Sequence, residues 1–339
     1  MNTKEDLVII SNERIINKNN NFYCSNIDIK SIAEGLNDHF NVMLLSRKSK
    51  NSGNHKIVGL KAKTAANILE FLINVAKNFR NKKTKYLIIS ITPYTFFAAA
   101  ILFFFRKKKF LYLRSNGYEE YKEILGFFGP FIYHLMYSFA TIKSNLIVCQ
   151  AKLAKEKSHK LVFPSQLDVK WLSNLKKEVL LDKPRLLYVG RIKVEKGIVS
   201  LFEMYEKLKN EINLSIVGDF KNFDISNKQI NFLGYKSEQE ELINIFDNNN
   251  IFILPSFTEA HPQVLFESLA RLRPVIIFDE ISHVVKDFKG VIISKRNSQS
   301  LLKAINFVID NYNNIQDDMK NNKLPTKDNF ISAMIKILN

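Results

Sequence analysis

A basic turn at residues 188–197 is the first stretch whose residue types could do chemistry. It follows an apolar run that predicts a strand ending at Gly190, and a helix is expected to begin after its Lys-Gly pair. Glycine lets the backbone come close to a ligand. Arg191 could hold a phosphate with its forked guanidinium, and Lys196 could do so as a point charge. The turn predicts a diphosphate clamp, and the alternative is an ordinary basic loop.

A second stretch, residues 254–267, places two glutamates around a predicted helix start. Proline is common in the first turn of helices, so Pro262 marks the expected start. The free N–H groups at the start of a helix attract phosphate. Glu267 would lie about one turn inside the helix, where it could accept from two ribose hydroxyls. Glu259 would face the sugar beyond the phosphates, and His261 would either polarise a group or pack. The alternative for the two glutamates is a cap and a surface charge.

Short β-branched runs alternate with helical patterns along the chain, which is typical of parallel-sheet βα units buried on both faces. In such sheets ligands bind outside the carboxyl ends of the strands, so a cleft between two domains is the expected active site. Strands are expected at residues 7–11, 41–45, 56–60, 86–90, 109–114, 146–149, 160–163, 185–189, 213–217, 230–233, 251–254, 275–278 and 290–293. Helices are expected at residues 29–39, 65–79, 95–105, 127–142, 152–157, 198–209, 237–246, 263–272 and 298–311.

A chain of 339 residues predicts two domains. Residues 172–184 carry charge without a strand signal and are interpreted as the linker. The expected division is an N-terminal domain at 1–175, a C-terminal domain at 176–325, and a C-terminal helix at 326–339 that packs back toward the N-terminal domain.

The formal net charge is +17, from 50 Lys and Arg against 33 Asp and Glu, which favours anionic partners. Residues 1–170 contribute +15 of this charge and residues 171–339 only +2. A hydrophobic content of 46% excludes a disordered chain. With only Cys24 and Cys149, a secreted disulfide scaffold is excluded, and the expected location is cytoplasmic because no signal peptide is visible.

Two uncharged stretches, residues 91–105 and 125–142, raise the question of a membrane. The second is 18 residues long, but its glycine, proline, histidine and serine residues make spanning costly. A spanning helix, a buried helix and a helix in the headgroup region all remain open. The basic run at 106–109 suits an anionic membrane surface, and its alternative is a solvated basic turn.

Together these motifs resemble the retaining glycosyltransferases of family 4. The resemblance rests on GR-x4-KG at 190–197, VGD at 217–219, FLGY at 232–235, LPSFTE at 254–259 and the spacing Glu259-x7-Glu267. It covers residues 185–310 by motif and the first half only by pattern. It implies the GT-B fold, an α/β architecture of two facing Rossmann-like, doubly wound parallel-sheet domains with an intervening cleft.

The resemblance also implies roles for individual residues. Arg191 and Lys196 would bind the donor diphosphate and stabilise the leaving nucleotide, Glu259 would contact the donor sugar, and Glu267 would hold the ribose. The remaining residues expected at the donor site are Gly190, Gly218, Gly234, Tyr235, Lys236, His261, Pro262, Gln263 and Val264. Because the chain contains no Asp-x-Asp motif, we expect no metal and no cofactor, only a nucleotide-sugar substrate carrying UDP or GDP.

The first half departs from the family pattern. No glycine follows the first expected strand, where residues 17–24 read NKNNNFYC, and the histidine often found after the strand at 109–114 is missing. Asn116 and Gly117 could form the acceptor loop, with Arg114, Asn116 or Glu119 near the acceptor hydroxyl. The alternative is an ordinary tight turn.

The favoured function is a metal-independent retaining glycosyltransferase that extends a lipid-linked or cell-envelope glycan, such as a polysaccharide, O-antigen, capsule or lipopolysaccharide. It would act as a peripheral protein on the inner face of the cytoplasmic membrane. Front-face substitution is expected, because no side chain is clearly placed as a covalent nucleophile. One alternative is a GT-B-fold sugar-nucleotide epimerase. The other is a basic nucleic-acid-binding protein, although the lack of a recognised module argues against a nucleic-acid partner.

Overall fold

The chain folds into two units. The computed structural model describes residues 4–19, 21–49, 53, 55–177, 182–220, 229–259, 261–285 and 287–339. The first unit comprises Met1–Gln166 with Lys327–Asn339, and the second comprises Leu167–Thr326. The first boundary therefore lies earlier than the expected residue 175, because Leu167 and Trp171 are buried in the core of the second unit. Residues 178–181 of the expected linker lie outside the described residues.

Strands and helices alternate in both units. The strands are β1 (Asp6–Lys18), β2 (Asn21–Cys24), β3 (Asn41–Lys48), β4 (His55–Ile57), β5 (Lys61–Ala65), β6 (Lys85–Ile89), β7 (Lys109–Leu113), β8 (Asn145–Val148), β9 (His159–Leu161), β10 (Arg185–Val189), β11 (Asn213–Val217), β12 (Ile230–Gly234), β13 (Ile251–Leu254), β14 (Val275–Phe278) and β15 (Val291–Ser294). The helices are α1 (Ile27–Asn37), α2 (Ile68–Ala76), α3 (Pro93–Phe104), α4 (Gly117–Leu125), α5 (Gly129–Ala140), α6 (Val169–Leu172), α7 (Ile198–Leu208), α8 (Gln239–Asp247), α9 (Gln263–Ala270), α10 (Ser298–Asp310), α11 (Tyr312–Met319) and α12 (Lys327–Leu338). Short 3-10 turns lie at Gly126–Phe128, Ala151–Ala154, Val194–Lys196 and Asp279–Val284.

The sheet of the first unit is built on parallel strands in the order β5-β3-β1-β6-β7-β8-β9. Its first strand does not end at residue 11 as expected. Instead β1 shifts register between Ile10 and Arg14, continues to Lys18, and pairs antiparallel with β2, which in turn pairs with β4. A strand that continues needs no glycine-rich turn, which explains why this stretch lacks glycine.

The C-terminal helix α12 belongs to the first unit. Phe330, Met334 and Leu338 are buried in one of the two apolar clusters of that unit. The helix lies against α1 at Gly35, where a Cβ atom would stand 2.7 Å from the side chain of Ile331. The glycine therefore lets the two helices approach closely, and a larger residue would have to displace Ile331.

The two uncharged stretches become short helices. Residues 91–105 form α3, which is capped by Thr92 and begins at Pro93. Residues 125–142 are divided, because a 3-10 turn at Gly126–Phe128 separates α4 from α5. No helix among the described residues has the length and apolar character needed to cross a bilayer, so the spanning alternative is wrong for them. The sequence patterns also missed α4.

The sheet of the second unit is fully parallel, in the order β12-β11-β10-β13-β14-β15. Numbered along this unit, that order is 3-2-1-4-5-6, and the strand order reverses where β10 lies beside β13. Ligands of doubly wound sheets bind at this reversal, outside the carboxyl ends of the two strands. The basic turn follows β10 and the glutamate-bearing loop follows β13, so the fold brings the two motifs to that point.

A charged network lies inside the core of the second unit. Arg271 and Asp247 are 1% and 3% exposed by side chain, and Arg271 Nη2 lies 2.7 Å from Asp247 Oδ2. Arg271 also donates to Asp247 Oδ1 and to the carbonyl oxygens of Trp171, Ser173 and Asn174. The network fixes the end of α9 to the end of α8 and to the segment after α6.

Candidate active site

The basic turn after β10 is held by the tyrosine that precedes it. Tyr188 Oη donates to the carbonyl oxygen of Arg191 at 2.8 Å, and a Cβ atom on Gly190 would lie 2.7 Å from the same hydroxyl. Burial raises the pKa of Tyr188, so its hydroxyl remains a donor. The side chain of Arg191 is exposed. The turn thus presents an arginine to solvent on a fixed backbone.

Glycines end or follow the three neighbouring strands β10, β11 and β12. The Gly190 amide donates to the carbonyl of Val217 at 3.0 Å, and the Gly218 amide donates to the carbonyl of Gly234 at 3.1 Å. A Cβ atom on Gly218 would lie 2.4 Å from the Gly190 oxygen, and Gly234 has a φ of +74°. Side chains are therefore excluded where these backbones meet, and the backbone itself forms the edge of the sheet.

The two residues after Gly234 have different surroundings. Tyr235 is exposed, with 56% of its surface accessible, and could stack on a ligand. The ammonium group of Lys236 forms an ion pair with Glu241 of α8. The sequence predicts Lys236 at the nucleotide pocket, and its place there stays a prediction.

The strongest feature of the site is a contact between its two motifs. Lys196 Nζ lies 2.6 Å from Glu259 Oε1, although the residues are 63 positions apart. Ser256 Oγ donates to the same carboxylate oxygen at 2.7 Å. The side chains of Lys196 and Glu259 are 19% and 10% exposed. The sequence assigned them to different parts of the donor, and it did not predict that they touch.

The loops that carry this pair are locked together. Gly197 has a φ of +68°, and a Cβ atom there would lie 1.8 Å from the carbonyl oxygen of Pro255. The Phe257 amide donates to the carbonyl of Glu195 at 3.1 Å. Only glycine allows the two loops to approach so closely, so residue 197 helps to set the position of Lys196.

Arg296, which the sequence reasoning missed, also supports these loops. Its Nη1 donates to the Pro255 carbonyl at 2.8 Å, its Nη2 donates to the Ser256 carbonyl at 3.2 Å, and its guanidinium lies 4.1 Å from the centre of the Phe257 ring. It also pairs with Glu280 at 2.7 Å, which lowers the pKa of that carboxyl. Arg296 lies two residues after the end of β15. A cation so close to the end of an expected parallel strand is the sequence pattern that could have identified it.

Helix α9 begins as the sequence predicts, with Pro262 as its N-cap and Gln263 as its first residue. Val264 and Glu267 are half-buried in its first turns. The ring of His261 lies 4.7 Å from the ring of Phe266, so this histidine packs on the helix. Residue 260, between the glutamate and the histidine, lies outside the described residues.

No metal centre is evident in the described part of the chain, where no three or more His, Cys, Asp or Glu side chains are grouped to hold an ion. The site does hold positive charge, from Arg191 and Lys196. Metal independence stays a prediction from the sequence.

A polar cluster lies at the carboxyl end of β7 in the first unit. Arg114 Nη1 lies 2.9 Å from Asp28 Oδ2, and Gln166 donates to the other oxygen of Asp28 at 2.7 Å. Ser31 Oγ donates to Gln166 Oε1 at 2.7 Å. The buried Nε of Arg114 has no hydrogen-bond partner among the described residues. Of these four residues, the sequence reasoning found only Arg114.

Glu13 belongs to the same region. It is half-buried on the extension of β1, and burial is the main cause that raises its pKa, against the nearby charge of Arg114. The first unit therefore offers both a guanidinium and a carboxyl group at this edge of its sheet.

Asn116, Gly117 and Glu119 build a helix start, so the alternative of an ordinary tight turn is wrong. Asn116 is the N-cap of α4 and accepts from the amide of Tyr118. Gly117 is buried, and it must be a glycine because a Cβ atom there would lie 2.1 Å from the ring of Tyr133. Glu119 is exposed in the first turn. Asn116 and Gly117 thus have structural roles in starting α4, and their place at the acceptor stays a prediction.

Part of this chain is similar to a known family of proteins. Residues 173–324 match the family model "Glycosyl transferases group 1". The matched segment contains β10, β13 and α9, together with the Lys196–Glu259 pair. The whole first unit lies outside the match, including its C-terminal helix, which begins at Lys327.

Two curated proteins are similar over part of their length. A Bacillus subtilis protein described as a teichuronic acid biosynthesis glycosyltransferase, TuaC, is 29% identical over 127 residues, which are 37% of this chain and 33% of the relative. The N,N'-diacetylbacillosaminyl-diphospho-undecaprenol alpha-1,3-N-acetylgalactosaminyltransferase of Campylobacter jejuni is 23% identical over 136 residues, which are 38% of this chain and 36% of the relative. The matched segment thus spans about a third of each relative.

One solved structure is similar over nearly the whole chain. The lipopolysaccharide outer core galactosyltransferase WaaB superposes with a TM-score of 0.67 at 13% identity, covering 98% of both chains. The fold is GT-B. At this identity the likeness establishes the fold alone, as the two parallel-sheet units already indicated.

Proposed function

We propose that this protein is a retaining, metal-independent glycosyltransferase that uses a UDP- or GDP-linked sugar. Its acceptor would be a lipid-linked or cell-envelope glycan at the inner face of the cytoplasmic membrane. The observation that carries the proposal is the contact of Lys196 with Glu259 at the reversal point of a doubly wound sheet. The family match over residues 173–324 supports the reaction class.

The donor diphosphate would lie between the turn after β10 and the start of α9. Arg191 is exposed on a fixed backbone and offers a forked contact, and the N–H groups at the start of α9 add a partial positive charge. Lys196 has three donors, so it can keep its bond to Glu259 while donating to phosphate. Glu267, one turn into α9, would take the ribose hydroxyls.

Glu259 would bind hydroxyls of the donor sugar. Its Oε1 is occupied by Lys196 and Ser256, which orient the carboxylate and leave Oε2 to accept from the sugar. A carboxylate oxygen that accepts from two donors keeps a defined direction. This assigns to Glu259 the positioning of the sugar against the diphosphate.

Transfer would follow a front-face substitution. The acceptor oxygen forms its bond to the anomeric carbon on the face from which the diphosphate oxygen departs, and the acceptor proton passes to that oxygen. Arg191 and Lys196 would neutralise the charge that develops on the leaving diphosphate, which is the work that a metal does in other transferases.

The acceptor assignment rests on two independent supports. One curated relative is named for teichuronic acid biosynthesis, and the other for transfer to a diphospho-undecaprenol glycan. The first half of this chain carries a net charge of +15, which favours approach to an anionic membrane surface. Arg114, with an unused buried Nε, is the residue that we place at the acceptor side.

A donor screen tests the proposal. The protein is heated with a panel of nucleotide sugars, and one donor should raise the free energy of unfolding by about 2.7 kcal/mol at about 100 times its Kd. That donor is then incubated with and without extracted lipid-linked acceptors. Retention of the anomeric configuration in an acceptor-dependent product would support the proposal. Product from the donor alone would favour the epimerase, and stabilisation by no donor would contradict the proposal.

A further inference from the structure

Strongly exposed aromatic side chains cluster where α4 turns into α5. Phe127, Phe128 and Phe131 have 90%, 67% and 63% of their surface accessible, and Ile124 at the end of α4 has 71%. We call residues 124–131 the aromatic elbow. Single exposed apolar residues are ordinary, but a contiguous group of this kind marks a surface that meets something apolar.

Helix α5 extends this apolar surface. Its inward face buries Tyr133, Met136 and Tyr137. A helix on a protein in water is expected to be polar on its other face. The outward face of α5 instead carries Phe131, Leu135 at 55% exposure, and Ile132 at 39%.

The backbone holds the elbow outward. Gly126 has a φ of +61°, which favours glycine, and a Cβ atom on Gly129 would lie 1.9 Å from the carbonyl oxygen of Tyr121. Tyr121 packs on Tyr133 with ring centres 5.3 Å apart. The sharp bend between α4 and α5 therefore depends on two glycines and a tyrosine pair, and it prevents Phe127 and Phe128 from folding back onto the core.

The apolar surface continues to the end of α3. Phe139 of α5 lies 5.6 Å from the ring of Phe103 and 6.4 Å from the ring of Phe104, and Phe104 itself is 72% exposed. Two helices of one layer thus share a single outward face. Exposed cations border it at Arg106 and Lys108, which follow α3.

Further cations border α4 and α5. Lys155 Nζ stands 3.8 Å above the ring of Tyr118, and Lys143 Nζ lies 6.0 Å from the ring of Phe103. The basic run at 106–109 contributes less than the sequence indicates, because Lys109 is buried and donates to the carbonyl of Ala140. The membrane-facing charge is therefore spread around the helices and is not confined to that run.

We infer that the aromatic elbow inserts into the headgroup and acyl boundary of an anionic bilayer, with α5 lying along the surface. An aromatic tip with a cationic border fits this layer, where apolar insertion and attraction to anionic lipid act together. This deepens the proposed function, on which it rests for the presence of a lipid-linked acceptor. The glutamates of α4, Glu119, Glu120 and Glu123, are exposed and would stay on the aqueous side.

A second copy of the chain could cover the same apolar surface in place of a bilayer. Pairing through this face would bring two halves together that each carry a net charge of +15, and like charges oppose such contact. An anionic bilayer neutralises the same charge. The charge distribution therefore favours lipid over self-association.

Vesicle flotation of the full chain tests the inference. Wild type should float with vesicles of phosphatidylglycerol and phosphatidylethanolamine and much less with phosphatidylcholine vesicles. The Phe127→Ser/Phe128→Ser variant should lose about tenfold or more of this partitioning. Phe307→Ser removes a phenylalanine of 54% exposure from α10 in the second unit, and it should float as wild type does. Equal flotation of the elbow variant and wild type would overturn the inference.

Depth measurements separate insertion from adhesion. Phe127→Trp and Phe307→Trp each add one indole to a chain whose native Trp171 is only 3% exposed. Brominated acyl chains in anionic vesicles should quench the added fluorescence at 127 and not at 307. Equal quenching at the two positions would overturn the inference, as would a wild-type dimer in sedimentation that the elbow variant abolishes.

Donor affinity without lipid distinguishes this inference from the proposed function. The elbow variant should bind the nucleotide sugar as tightly as wild type, because its substitutions lie in the first unit and the proposed donor site lies in the second. A protein that inserts but binds no nucleotide sugar would contradict the proposed function and leave insertion established. A protein that binds its donor but shows no elbow-dependent flotation would overturn the insertion alone.

Discussion

Two carboxylate–cation pairs in the second unit differ in how completely they are satisfied. Arg271 uses all of its N–H groups on Asp247 and on three carbonyl oxygens, at 1% exposure. Lys196 bonds to Glu259 at 19% exposure, and no other described residue accepts from its ammonium group. We call Arg271–Asp247 the closed pair, because it has no N–H group left for a ligand. We call Lys196–Glu259 the open pair, because Lys196 keeps two N–H groups that could donate to a ligand. The comparison separates a pair whose hydrogen-bonding capacity is used within the fold from a pair that retains capacity for a ligand.

The largest effect should come from breaking the closed pair. Asp247→Ala leaves the buried guanidinium of Arg271 without its carboxylate, so the free energy of unfolding should fall by about 3–5 kcal/mol. Urea denaturation followed by circular dichroism measures the change. A loss below about 1 kcal/mol would show that this network does not hold the core.

The open pair should respond in activity and not in stability. Glu259→Gln keeps an oxygen for Ser256 but removes the charge that orients Lys196, so the transfer rate should fall by about 10²-fold to 10³-fold. The free energy of unfolding should change much less than in Asp247→Ala, because Lys196 is 19% exposed and keeps partial access to water. Initial rates with the identified donor measure the effect.

The matched control for that variant is Glu206→Gln. Glu206 pairs with Lys209 at 3.0 Å on the exposed face of α7, away from both strand-end loops. Its transfer rate should stay within about twofold of wild type, since exposed pairs contribute little. Equal losses in the two variants would remove the distinction between the open pair and an ordinary surface pair.

Arg296 should have an intermediate effect, because it supports the loop of the open pair without belonging to it. Arg296→Lys cannot reproduce the fork that reaches two carbonyl oxygens and Glu280. We expect donor affinity to fall by about three- to tenfold in calorimetric titration. An unchanged Kd would mean that Gly197 and Pro255 hold the loops without it.

Lys109 sharpens the comparison as a buried cation for which no carboxylate lies within ion-pair distance in the described chain. Burial lowers its pKa from 10.5 to about 8. Between about pH 8 and 10.5 the unfolded chain binds more protons at this site, so the contribution of Lys109 to stability should rise with pH in that window.

Lys109→Met should remove that pH dependence and raise stability at pH 7 by about 1 kcal/mol. The Ala140 carbonyl keeps a donor in this variant, because Ser144 Oγ bonds to it at 2.6 Å. Chemical denaturation at pH 7 and pH 10 provides the measurement. A variant that is less stable than wild type at pH 7 would contradict the account of Lys109.

The strands and helices of the second unit could be predicted from the sequence to a large extent, because short local patterns mark where they begin and end. The strands β10 to β13 each end at or directly before a glycine or proline, and α9 begins at the expected proline. Such signals act within a few residues and survive without tertiary information. The direct contact of Lys196 with Glu259 could not be predicted, since it depends on β10 and β13 being neighbours in the sheet.

The first unit was less predictable because its polar cluster is assembled from distant segments. Arg114 and Asp28 are 86 positions apart, and Gln166 is 138 positions from Asp28. The extension of β1 beyond residue 11 is fixed by pairing with β2 and β3, which no single-strand pattern reveals. The sequence likewise placed the membrane charge at 106–109, where tertiary packing buries Lys109.

The most direct test of the central claim is the affinity of Lys196→Ala for the donor, measured by calorimetric titration beside Lys209→Ala. Both variants remove a lysine paired with a glutamate in the same unit. We predict that the Kd rises by about 100-fold or more for Lys196→Ala and by less than about twofold for Lys209→Ala, with both proteins folded. A Kd for Lys196→Ala within about threefold of wild type would contradict the claim that the open pair binds the donor diphosphate.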